Sequence, residues 1–149
     1  NEAEFVLLSF DRELTYSKLE NACILINRGI PYYLTHIDLS CPTENGPIPD
    51  CGAFSKLISI VTSKFPKDNF GKPSKKMADY ILSKLNETDK KKILFAGDRI
   101  YTDMKLGNIL GVNTLLVYSG ESKVGDLNSS NINVTHTSES LSKFLSSKI

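Results

Sequence analysis

The hydrophobic and polar positions of this chain change period several times, and each change predicts an element. Val6 to Ser9 is a short apolar run that predicts a strand. From Ser17 the period lengthens. Leu19, Ala22, Cys23 and Ile26 fall on one face of an amphipathic helix, which Gly29 and Pro31 stop. Tyr32 to Thr35 predicts a second short strand. Between Asp38 and Gly52 the prolines and glycines at 42, 46, 47, 49 and 52 break both periods, so no regular element is expected there, and a lobe boundary is. Phe54, Leu57, Ile58, Val61 and Phe65 mark the face of another helix. Ser74 is placed to cap a third, whose buried face is Met77, Ala78, Ile81, Leu82 and Leu85.

The second half alternates in the same way. Ile93 to Ala96 predicts a strand, and Thr102 is placed to cap a helix carrying Met104, Ile109 and Leu110, with Gly111 as its stop. Thr114 to Tyr118 and Ile132 to Thr135 predict two more strands, and Leu141, Phe144 and Leu145 a terminal helix capped near Ser138. Strands alternating with helices imply an α/β fold with a mainly parallel sheet.

Composition narrows the function classes. With 149 residues, 40% hydrophobic, the chain suits one domain or two small lobes. A net charge of +1, both signs interspersed, gives no footprint for nucleic acid or an anionic membrane surface. The longest apolar runs, such as Cys23-Ile24-Leu25-Ile26, are too short to span a bilayer. Three cysteines without metal-type spacing read as reduced thiols, and the expected location is cytoplasmic. The triplets beginning at Asn86, Asn128 and Asn133 match the glycosylation pattern by chance in a chain rich in Asn, Ser and Thr.

Candidate chemistry gathers in two segments. In ILFAGDRIYTD the strand ends at Gly97, and Asp98 is the first residue beyond it, where open α/β sheets bind ligands. Asp103 follows five residues later. Two carboxylates so placed can converge on Mg²⁺, which takes one or two carboxylates plus waters and phosphate oxygens. The plainer alternative makes Asp98 a turn residue and Asp103 a first-turn acid favoured by the helix dipole. In FGKPS, Lys72 stands in a short loop before a helix start, where it would offset negative charge. Taken alone, its plainer and favoured reading is an exposed lysine in an ordinary loop-to-helix turn.

Together GKPSKKM and FAGDRIYTDMKLGNILGVNTLLVYSGESK resemble the haloacid-dehalogenase-type phosphatases, in the branch (subfamily IIA) of p-nitrophenyl phosphatase, phosphoglycolate phosphatase and pyridoxal phosphatase-like enzymes. LTHIDLSCPTENGPIPDCGAF resembles that branch's link from cap back to core, and the likeness runs from Val6 to Lys123. Two departures stand out. The family's Thr-Asn-Pro-Asp is Thr35-His36-Ile37-Asp38, and its Gly-Ala-Gly is Asp50-Cys51-Gly52. The resemblance implies a partial Rossmann-like core with a small α/β cap lobe. Residues 1–45 would be part of the cap and its link, and residues 46–149 the C-terminal half of the core. It further implies a Mg²⁺-dependent phosphatase acting on a small phosphorylated metabolite through a phospho-aspartate. Lys72 would hold the phosphoryl group, Asp98 would ligate the metal directly, and Asp103 would be the second metal acid. By the same resemblance the cap offers a homodimer surface.

The stretch FVLLSFDRELT raises a rival. Asp11 could be the nucleophile of a capless enzyme, with Glu13 as acid and base and Thr35 holding phosphate. Against this, Glu13 is longer than the usual aspartate, and Leu14 stands where a phosphate loop needs glycine. The resemblance instead places this strand and helix in the cap, with the nucleophile before Asn1. The 149 residues alone are then expected to be inactive. A third alternative, from another class, is a non-catalytic α/β binding or regulatory module.

Overall fold

The computed structural model describes residues 3–147 and divides into two compact units, one ending at Gly71 and the other beginning at Lys72. In the first unit, strand β1 (Val6–Leu8) leads into helix α1 (Tyr16–Asn27) and strand β2 (Tyr32–Leu34). Thr15 opens α1 by accepting the Lys18 amide on Oγ1 at 3.3 Å. Beyond the helix, Gly29 takes φ +94°, a left-handed conformation that costs glycine nothing. The strands β1 and β2 run parallel with Val6 opposite Tyr32. A strand the periodicity did not predict, β5 (Asp68–Asn69), adds to the other side of β2, giving the order β1-β2-β5.

The broken stretch is less irregular than expected. Its two arms pair as the antiparallel strands β3 (Ser40–Cys41) and β4 (Ile48–Pro49). The turn between them is closed by Thr43 Oγ1 donating to the Gly46 carbonyl at 2.6 Å. Helix α2 (Cys51–Thr62) follows, and its Cys51 and Ile58 are fully buried with Ile26, Tyr32 and Leu34. The expected division after residue 45 thus falls inside the first unit, in the turn between β3 and β4. Residues 46–71 stay with that unit because α2 supplies two of its five buried core residues.

The second unit begins with helix α3 (Lys75–Lys84), capped as expected by Ser74, whose Oγ accepts the Met77 amide at 3.1 Å. Strands β6 (Leu94–Gly97), β7 (Asn113–Val117) and β8 (His136–Ser138) form a parallel sheet in that order. Leu115 and Leu116 are both fully buried. Successive side chains point to opposite faces, so both faces of β7 are covered, as parallel sheets require. Helix α4 (Lys105–Leu110) packs Leu106 and Leu110 against Ala78 of α3. Helix α5 (Leu141–Ser146) is capped by Ser140, close to Ser138 as expected, and Ser138 itself ends β8.

Strand β8 lies downstream of the predicted 132–135. The Thr114 amide donates to Thr135 Oγ1 at 3.1 Å, and the Thr135 amide to Thr114 Oγ1 at 3.0 Å. Side-chain hydroxyls thus replace the backbone ladder at that step, and regular pairing begins at His136. Among the described residues no helix is long and apolar enough to cross a membrane.

Candidate active site

The second unit gathers Lys72, Asp98 and Asp103 at the carboxyl end of β6. Asp98 is the first residue after the strand, as its sequence position required. The chain then turns through a π-helical segment, Ile100–Met104, before α4 begins. Thr102, expected as a cap, lies inside this segment with its Oγ1 buried and making no hydrogen bond among the described residues. Asp103 is 4% exposed.

Burying a carboxylate is costly unless its oxygens are matched by donors. Asp103 is matched on both. Its Oδ1 accepts from Lys72 Nζ at 2.7 Å, and its Oδ2 from the amides of Asp98 and Arg99 at 3.2 and 3.1 Å. Lys72 stays close to half exposed, at 45% of its side chain, so it can still meet a ligand. Gly97 makes the geometry sterically feasible. A β-carbon there would run into the Asp103 side chain, carboxylate included. Asp103 therefore braces the turn that presents Asp98 and also anchors the lysine.

Asp98 is held from its other side by the loop after β7. Its Oδ2 accepts the Glu121 amide at 2.8 Å, and its carbonyl accepts the Ser122 amide at 3.1 Å. Gly120 lies so close that any side chain there would meet the Asp98 carboxylate. Arg99 Nε contacts Glu121 Oε2 at 2.6 Å. Among the described residues, Asp98 Oδ1 accepts no hydrogen bond. The carboxylate is thus fixed through one oxygen and offers the other. Sequence reasoning missed Gly120, Glu121 and Ser122, since their link to Asp98 crosses more than twenty residues of chain, and Arg99, whose partner Glu121 is as distant.

In the first unit the strand ends carry different chemistry. Asp11 Oδ1 accepts the Glu13 amide at 2.8 Å, and Oδ2 pairs with Lys18 at 2.8 Å. The hydrogen bond from the Lys18 ammonium, then that from the Glu13 amide, hold its pKa below the ordinary 3.8. An apolar groove beside it is lined by Leu8, Leu14, Leu19 and Phe54. Among the described residues, the one cation in its lining, Lys18, is already paired with Asp11.

The two departures at His36 and Asp50 prove to be neighbours. His36 Nε2 meets Asp50 Oδ1 at 2.7 Å, Nδ1 meets Thr35 Oγ1 at 2.8 Å, and Asp50 also accepts the Cys51 amide at 2.6 Å. With Asp38 they form a three-residue group of metal-ligand type. Asp50 is nonetheless engaged as the cap of α2, and His36 as its partner. Burial raises the pKa of Cys51 beside them, so its thiol stays protonated.

Residues 69–144 match the family model of HAD-hydrolase-like proteins. The chain is 31% identical over 143 residues to the 5'-nucleotidase YutF of Bacillus subtilis (strain 168), covering 96% of the chain and 55% of that protein. It is 29% identical over 140 residues to an acid sugar phosphatase of Staphylococcus aureus (strain USA300), covering 94% and 53%. Among solved structures it resembles a 4-nitrophenylphosphatase from Thermotoga maritima, with a TM-score of 0.88, 36% identity, and coverage of 98% of this chain and 56% of that one. A p-nitrophenyl phosphatase from Archaeoglobus fulgidus gives a TM-score of 0.85 at 27% identity, covering 97% and 57%. The chain spans about half the length of the curated relatives it matches.

Proposed function

This chain belongs to the HAD-hydrolase-like family, and from that membership we propose that it carries the lysine-and-metal half of a Mg²⁺-dependent phosphatase for small phosphomonoesters. The observation that carries this reading is the bracing of Asp98 and Lys72 through the buried Asp103. Phosphoryl transfer from a monoester to a carboxylate brings two anions together, so the site must supply fixed positive charge. Lys72 has three donor protons, of which one is held by Asp103, leaving two for a phosphoryl oxygen and the attacking carboxylate.

The donor set suits a hard cation, since carboxylate oxygens are what Mg²⁺ selects and Asp98 offers an uncommitted one. When bound, Mg²⁺ would offset charge on the phosphate and on the nucleophile together. In this reading Asp98 ligates it directly. Asp103, with both oxygens engaged, acts through water and by holding Lys72 in place.

The nucleophile would come from polypeptide outside these 149 residues, giving a phospho-aspartate that water hydrolyses. Asp11 is the rival, and its two oxygens are already committed to Glu13 and Lys18. The first unit would be the cap, the protein cytoplasmic, its substrate a small phosphorylated metabolite, and a homodimer its assembly. Assaying p-nitrophenyl phosphate hydrolysis by this chain with Mg²⁺ tests the assignment. Little or no turnover is expected. Robust turnover abolished by Asp11→Asn would establish the capless enzyme instead.

A further inference from the structure

We infer that Arg99 and Glu121 form a positioning pair that keeps Asp98 free to take a divalent cation, an inference that rests on the metal role proposed for Asp98. Three observations support it. The first is geometric. The Glu121 backbone and side chain act on neighbouring groups, the amide on Asp98 Oδ2 at 2.8 Å and the carboxylate on Arg99 Nε at 2.6 Å. One residue thus holds both members of the Asp98-Arg99 dipeptide. The second is burial. The Arg99 side chain is 15% exposed, so its charge is poorly screened by solvent next to the acid that would bind a cation. The third is the fit of the loop. Gly120 leaves no space for a side chain against Asp98, and Ser122 is 6% exposed while its amide donates to the Asp98 carbonyl.

Electrostatics gives the pair its purpose. A guanidinium one residue from a metal-binding carboxylate opposes cation binding, and it is also a strong donor for that same carboxylate. Glu121 engages the guanidinium and compensates its charge. The field at Asp98 then stays favourable to Mg²⁺, and its Oδ1 remains open. Glu121 does not touch the reacting atoms, so it is a positioning residue rather than a catalytic one.

The pair makes a prediction that a purely structural contact does not. Mg²⁺ titration of the chain, followed by the amide NMR shifts of residues 98, 99 and 121, gives an affinity independent of turnover. Glu121→Gln, which keeps shape and removes charge, should weaken Mg²⁺ binding about tenfold, the low end for partners of metal ligands. Adding Arg99→Gln to that variant removes the guanidinium charge beside Asp98 and should restore affinity to within about threefold of the parent. Dispersed amide spectra check that each variant folds.

If Glu121→Gln binds like the parent while Asp98→Asn abolishes binding, the positioning pair is refuted and the metal role of Asp98 stands. The pair is refuted equally if the double variant stays as weak as the single one. If Asp98→Asn itself binds Mg²⁺ like the parent, the underlying metal reading fails.

Discussion

The sequence contains the dipeptide Asp-Arg twice after an apolar strand, once in each unit, and the structure treats the two differently. Asp11-Arg12 follows β1 at a distance of two intervening residues, whereas Asp98-Arg99 follows β6 at once. Phe10 precedes the first pair and Gly97 the second. Gly97 lets a buried acid, Asp103, come against the strand end and accept the Asp98 and Arg99 amides. Asp98 is then relieved of holding its own turn. Among the described residues Asp11 has no such helper, and it organises its turn itself through Glu13 and Lys18. A strand-end acid becomes available for chemistry when a second acid takes over its local structural duties.

Gly97→Ala tests that lesson most severely. The added methyl meets the Asp103 side chain and forces it off the two amides it satisfies. Overpacking combined with lost hydrogen bonds should destabilise the second unit by about 2–3 kcal/mol. A lowered urea midpoint for the amide signals of residues 72–147, with those of the first unit unchanged, checks it. An unaltered midpoint would mean that the bracing by Asp103 contributes little.

Asp11 offers a smaller effect in the other unit. Its pKa is lowered first by the Lys18 hydrogen bond, so Lys18→Met should return its titration toward the ordinary 3.8. A carboxyl depressed in the folded state adds stability that is present above the unfolded-state pKa. That stability fades as pH falls through the lower folded value. The change of stability with pH is therefore confined to acid solution below about pH 4. NMR titration of the Asp11 carboxyl in parent and variant reads it directly, and equal values would show that Lys18 does not hold it.

Much of this contrast could be read in the sequence, because local signals carry it. The period of Leu19, Ala22, Cys23 and Ile26 placed α1, Ser74 capped α3, and the apolar run before Gly97 placed Asp98 at a strand end. Other elements depend on partners far along the chain. Strand β5, two polar residues long, exists through its pairing with β2, and β8 begins where the Thr114–Thr135 exchange ends. Neither has a hydrophobic period to announce it. The bond between His36 and Asp50 joins positions that the sequence displayed only as separate departures from a family pattern. Glu121 meets Arg99 only through the fold, and no local pattern links the two.

The two Asp-Arg sites can be compared in one titration. Mg²⁺ is added to the chain, to Asp98→Asn and to Asp11→Asn, and the amides of Asp98, Arg99 and Glu121 are followed. Saturable shifts are expected in the parent, surviving Asp11→Asn and disappearing in Asp98→Asn. Shifts that persist without the Asp98 carboxylate, or that vanish without that of Asp11, would contradict the metal role given to Asp98.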